Sequence, residues 1–145
     1  MATLAKLASL FKIATAASIT WLFHSYNFKF QAGEISTLAG AVASSAGTIL
    51  GFLITAIALM ASVMDRNLLK NLRATGGYRS LIAGGFFCAL LYLLLLASSI
   101  CLLLPWAGNK DMLLLLNVFL GSLAAIQLAS AGIGFYRIIM SISRS

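Results

Sequence analysis

Apolar residues run almost unbroken through four stretches of the chain, residues 4–26, 37–64, 80–104 and 112–140, and polar residues gather between them. Each stretch supplies the ~20 residues that an α-helix needs to cross the hydrocarbon core of a bilayer. The pattern predicts an all-α membrane protein, a bundle of four transmembrane helices forming one integral membrane domain over 1–145. The first stretch is interrupted by Lys12. In a spanning helix Lys6 and Lys12 snorkel to one membrane face, while Trp21, His24 and Tyr26 anchor the other. The rival reading is an in-plane amphipathic helix that lays Leu4, Leu7, Leu10 and Phe11 in the lipid. Residues 13–23 lead into no A-x-A-like cleavage site, so the segment reads as a retained span and not a signal peptide.

Residues 27–36 (NFKFQAGEIS) form a polar connection, and the second span then carries no charge at all. A basic segment over 65–79 follows, in which Leu68, Leu69 and Leu72 share one helical face and Gly76-Gly77 provides a stop. The third span ends at the only proline, Pro105, and 106–111 (WAGNKD) turns the chain into the fourth.

The second span has the most informative pattern. Steps of four and three residues connect Thr37, Ala41, Ser44, Thr48, Gly51, Thr55, Ala58 and Ser62, all small and five of them hydroxylic. A second stripe, Ala39, Ala43, Gly47 and Gly51, runs beside it. Small residues let helix backbones approach, and hydroxyls supply interhelical hydrogen bonds. The seam therefore packs the span against its own bundle or, when several copies meet along it, lines a narrow and weakly polar path. Val42, Ile49, Leu50, Phe52, Leu53, Ile57 and Leu59 suit lipid or bulky packing. In the fourth span Asn117, Gln127 and Ser130 are uncharged polar groups that need partners at membrane depth, which marks them as packing glue. The third span is mostly bulky (LLYLLLLASSICLLL) and reads as lipid-facing, with Ser98 and Ser99 bonding back to their own helix.

Composition confirms the solvent. Of 145 residues 61% are hydrophobic and 9% charged, against roughly 25% charged in soluble domains; mean hydropathy is +1.02. The net charge of +7 is too dispersed for a nucleic-acid surface. Its distribution is informative: Lys6, Lys12, Arg66, Lys70, Arg73, Arg79, Arg137 and Arg144 share one side with only Asp65, whereas Lys29 and Lys110 balance Glu34 and Asp111 on the other. The positive-inside rule then places both termini in the cytoplasm. Arg66, Lys70, Arg73 and Arg79 are suited to anionic headgroups or to a docking partner.

Catalysis has little to work with. There is one histidine, His24, and no Cys/His spacing of a zinc site; the acids lie near the interfaces, and neither a metal nor a cofactor is expected. Cys88 and Cys101 stand thirteen residues apart on one span, about 20 Å of helical rise, too far for an intramolecular disulfide. Gly76-Gly77 before Tyr78 lacks the strand and GK[ST] of a phosphate loop and reads as a turn.

Residues 42–82 carry SSAGT at the opening of the second span, LITA in its middle, a basic loop, and a Gly-Tyr pair entering the third. In these features, and in length, layout and charge bias, the chain resembles RexB-like phage-exclusion membrane proteins. The resemblance implies a bacterial inner-membrane protein that assembles as a homo-oligomeric, ion-permeable pore and depolarises the membrane during abortive infection. It also implies a cytosolic sensor protein as partner. A non-catalytic scaffold or accessory subunit, and a holin, are the competing expectations.

Overall fold

The computed structural model describes residues 2–26, 32–63, 77–104 and 110–142. They form four helices: α1 (Ala2–Ser25), α2 (Ala32–Val63), α3 (Gly77–Leu103) and α4 (Lys110–Ile142). All four are long and apolar enough to cross a membrane. The protein is thus an all-helical chain suited to a bilayer, where every backbone group must find its partner inside the helix.

The helices exceed the apolar stretches at their polar ends. α2 starts at Ala32, five residues before the expected span, and holds Glu34 in its first turn, where a carboxylate meets the unsatisfied N–H groups of the helix start. Ser36 and Thr37 donate to the carbonyl of Gly33 at 2.9 and 3.0 Å. Asp111 holds the same place in α4. Gly77 and Tyr78, expected in a turn, belong to the first turn of α3. The expected surface helix of the basic segment, with Gly76, lies outside the described residues, as does Pro105.

Neighbouring helices run antiparallel in the order α2, α3, α4, α1: α3 packs on α2 and on α4, and α1 packs on α4. Among the described residues α1 and α2 share no extended contact. The bundle is therefore open, with α1 and α2 at its edges and α3 and α4 between them.

The main core joins Ala46 of α2, Cys88, Leu91, Tyr92 and Leu95 of α3, and Ala124 of α4, with Val42, Ile49, Leu50, Leu53 and Leu96 packed around them. A second cluster joins Ile35 and Ala39 of α2 to Leu102 of α3, against Leu113 and Leu114. Interdigitation is close. A Cβ on Gly47 would stand 3.3 Å from Cδ1 of Leu96, and one on Gly85 would stand 3.2 Å from Cδ1 of Ile57.

This arrangement corrects two expectations. α3 is lipid-facing on one side only: Phe86, Phe87, Leu90, Leu93, Leu94 and Ile100 are exposed, but Cys88, Leu91, Tyr92, Leu95, Ser99 and Leu102 are all buried. They recur at three- and four-residue steps, so one continuous face of the bulky helix is interior. The expectation that the α2 seam packs inside its own bundle fails too, because Val42, Ile49, Leu50 and Leu53 occupy that contact. Cys88 and Cys101 are both free, the first buried and the second half-buried.

Candidate functional site

The seam of α2 is outside. Thr37, Ala41, Ser44, Thr48, Gly51, Thr55, Ala58 and Ser62 are all exposed. The helical period explains why: residues two apart are separated by about 200° on a helix, so a face centred on Ala39, Ala46 and Leu53 against α3 turns the seam the other way. A Cβ on Gly51 meets nothing within 4 Å. The second stripe passes from one face to the other, since Ala39 is buried, Ala43 and Gly47 are half-buried, and Gly51 is exposed.

Three of the five seam hydroxyls, those of Thr37, Thr48 and Thr55, bond back to their own helix. Thr48 Oγ1 donates to the Ser44 carbonyl and Thr55 Oγ1 to that of Gly51, both at 2.9 Å; Ser45, beside the seam, donates to Ala41 at 2.9 Å. Back-bonding of this kind lets a hydroxyl tolerate apolar surroundings. The result is an uncharged strip from Thr37 to Ser62, about 37 Å long at 1.5 Å per residue, bordered by the exposed Phe52 and Leu59.

α4 carries two polar clamps. Ser99 Oγ of α3 donates to Asn117 Oδ1 at 2.6 Å, both residues being buried; Asn117 Nδ2 in turn donates to the Leu113 carbonyl at 3.4 Å. Ser99 therefore bonds across to α4, unlike Ser98, which donates back to Leu95 at 3.0 Å. On the other side of α4, Lys12 Nζ of α1 donates to Gln127 Oε1 at 2.8 Å and to Ser130 Oγ at 2.6 Å. The structure thus brings Gln127 and Ser130 together and sets Asn117 apart from them. The snorkelling of Lys12 is corrected: its ammonium turns sideways to acceptors on α4. The side chain starts five residues inside the candidate span that begins at Leu7, and α4 offers it two oxygens within hydrogen-bond reach.

Towards the other end of the bundle α1 and α4 part. Ala17, Thr20, Trp21 and His24 of α1 face Met112, Leu113, Leu115, Leu116 and Phe119 of α4 across an open cavity of about 910 Å³. Trp21 and Tyr26 are exposed there. Arg79 lies in the first turns of α3; Arg66, Lys70 and Arg73 fall outside the described residues. Among the described residues no group of three or more His, Cys, Asp or Glu could hold a metal ion.

The fold defines a class, a four-helix chain suited to a membrane with one edge helix presenting a small-residue face. Comparison with protein-family models, with curated proteins and with solved structures finds no match. Its own residues must therefore carry the functional reading.

Proposed function

We propose that the protein is a bacterial inner-membrane protein whose copies assemble along the outward face of α2 and open an ion-permeable path that depolarises the membrane in phage exclusion. One observation supports this above the rest: all eight small residues of the seam are exposed on an edge helix, while Val42, Ile49, Leu50 and Leu53 of the same helix pack against the core and Phe52, Ile54 and Leu59 stay exposed with the seam. Hydrocarbon does not reward small residues, which leave few contacts with lipid, whereas an apposed helix gains close backbone approach from them. The termini lie in the cytoplasm, and the basic residues of 65–79 meet anionic headgroups or a cytosolic sensor. The absence of charge on the face suits a path of low ion selectivity.

The back-bonded threonines favour a second reading, an accessory subunit whose α2 packs dry against a different membrane protein. Hydroxyls already satisfied within the helix need no water-filled path. Two measurements separate the readings. The first is copy number in a mild uncharged detergent or nanodisc by mass photometry; the second is membrane potential reported by a dye on induction in cells. Multiple copies together with depolarisation support the pore. A monomer that retains a different membrane protein, with normal potential under the triggering condition, sinks it.

A further inference from the structure

Lys12, Gln127 and Ser130 form a polar cluster inside the bundle that assembly along α2 does not use. Three features make it unusual for its depth. First, the ammonium lies within a span. Lys12 stands five residues from the start of the span at Leu7, about 7.5 Å of rise, and its side chain is half-buried. Second, its acceptors in the protein are neutral. Gln127 Oε1 and Ser130 Oγ take two of its three N–H groups, and Glu34 and Asp111 sit in the first turns of α2 and α4 at the opposite end of the bundle. The third acid, Asp65, lies outside the described residues. Third, the donors outnumber the acceptors. Ser130 Oγ donates to the Gln127 carbonyl at 3.0 Å, whereas the Gln127 amide N–H₂ donates to no described residue. An ammonium N–H and two amide N–H groups therefore stand together on one α1–α4 seam with no acceptor among the described residues, the Gln127 nitrogen being open to the surroundings and not sealed in the bundle.

A cation in apolar surroundings is stabilised by a counter-charge. A set of N–H donors around it fits an oxyanion, whose several oxygens can accept from ammonium and amide together. The nearest plentiful oxyanions to a group so placed are the phosphates of the adjacent leaflet. We propose that Lys12 and Gln127 form an intramembrane phosphate site, which takes one phosphate group into the α1–α4 seam beneath the headgroup layer. Its source is either a phosphodiester drawn down from a lipid or free inorganic phosphate. The site belongs to α1 and α4, so its failure would leave the α2 assembly untouched, and the reverse.

The test uses the whole chain in an uncharged detergent, with two probes. Native mass spectrometry counts phosphatidylglycerol retained per protomer, and phosphorus NMR titrates inorganic phosphate onto lipid-stripped protein. One probe is expected to bind the wild type at one per protomer, and which one does so identifies the source. Lys12→Met and Gln127→Leu should each weaken that binding at least tenfold, Lys12→Arg should restore most of it, and Lys110→Met, at the far end, should leave it unchanged. Helical content and elution volume confirm that each variant is folded. Binding of both probes unaffected by Lys12→Met, or no binding to the wild type, overturns the proposal. Pairing of the ammonium with Asp65 would appear as probe binding gained only in Asp65→Asn, and would overturn it equally.

Discussion

Gly47 and Gly51 are one turn apart on α2, yet leucine at the two positions should fail in different ways. At Gly51 a Cβ meets nothing within 4 Å, so Gly51→Leu leaves the protomer fold intact. In an assembly along the seam it holds two helices apart. Close-packed atom pairs contribute about 0.1–0.2 kcal/mol each, and a gap of about 0.5–1 Å forfeits a quarter to a half of that. If some tens of pairs meet along the seam, the loss is about 1–2.5 kcal/mol per interface. That corresponds to weakening the dissociation constant by about 5- to 70-fold. Gly47→Leu instead drives into Leu96, already 3.3 Å from a Cβ, and overpacking of this kind costs about 1–3 kcal/mol of protomer stability. The assay is paired: copy number by mass photometry across a dilution series, and protomer unfolding by sodium dodecyl sulfate titration in mixed micelles. Gly51→Leu should lower copy number and abolish depolarisation at unchanged unfolding midpoint, while Gly47→Leu shifts the midpoint. Full copy number and full depolarisation in Gly51→Leu would refute the outward seam as the assembly surface.

The Ser99–Asn117 pair should show coupling in a double-mutant cycle by the same titration. Ser99→Ala leaves a buried amide oxygen without its donor, at about 1–3 kcal/mol, while the apolar double variant approaches neutrality; strictly additive effects would contradict the 2.6 Å bond. Maleimide should label Cys101 well before Cys88 in the folded protein, since Cys88 is 0% exposed and Cys101 only half-buried, and equal rates would mean that α3 is not interior. In Trp106→Phe protein, lipids brominated along the acyl chain should quench Trp21 strongly, because it is 69% exposed beside the cavity between α1 and α4. Fluorescence indifferent to bromine would place that wall of α1 against protein.

The spans were legible in the sequence because a bilayer imposes length and hydropathy before anything else. Facing was not. In water the polar face of a helix points outward, but in hydrocarbon an apolar and a small-residue face are almost equally soluble, and only packing partners decide between them. The seam of α2 was therefore visible as a pattern and mute about its direction. α3 offered a better signal than its leucine content, since Cys88, Tyr92 and Ser99 recur at helical steps on the face that proved interior. Lys12 was read by its reach to the nearest water, and the competing acceptors are invisible in local sequence because Gln127 lies 115 residues away. Matching depths were the available clue: a lysine early in the first span and a glutamine late in the antiparallel fourth fall at the same level.

The three helix contacts rest on different physics, and this bears on how a change at one edge reaches the other. α2 meets α3 by interdigitation, Leu96 over Gly47 and Ile57 over Gly85, a contact that transmits displacement because it has no slack. α3 and α4 add the buried Ser99–Asn117 bond, which fixes their register. α1 instead holds to α4 through the Lys12 clamp and the contact at the buried Ala16, and beyond these an open cavity separates it from Met112 and Phe119. A rearrangement of α2 in an assembly would thus carry α3 and α4 with it as one body. α1 would follow only as far as the Lys12 clamp holds, and that makes the ammonium site the place where the state of the bundle and the state of the surrounding membrane can act on one another.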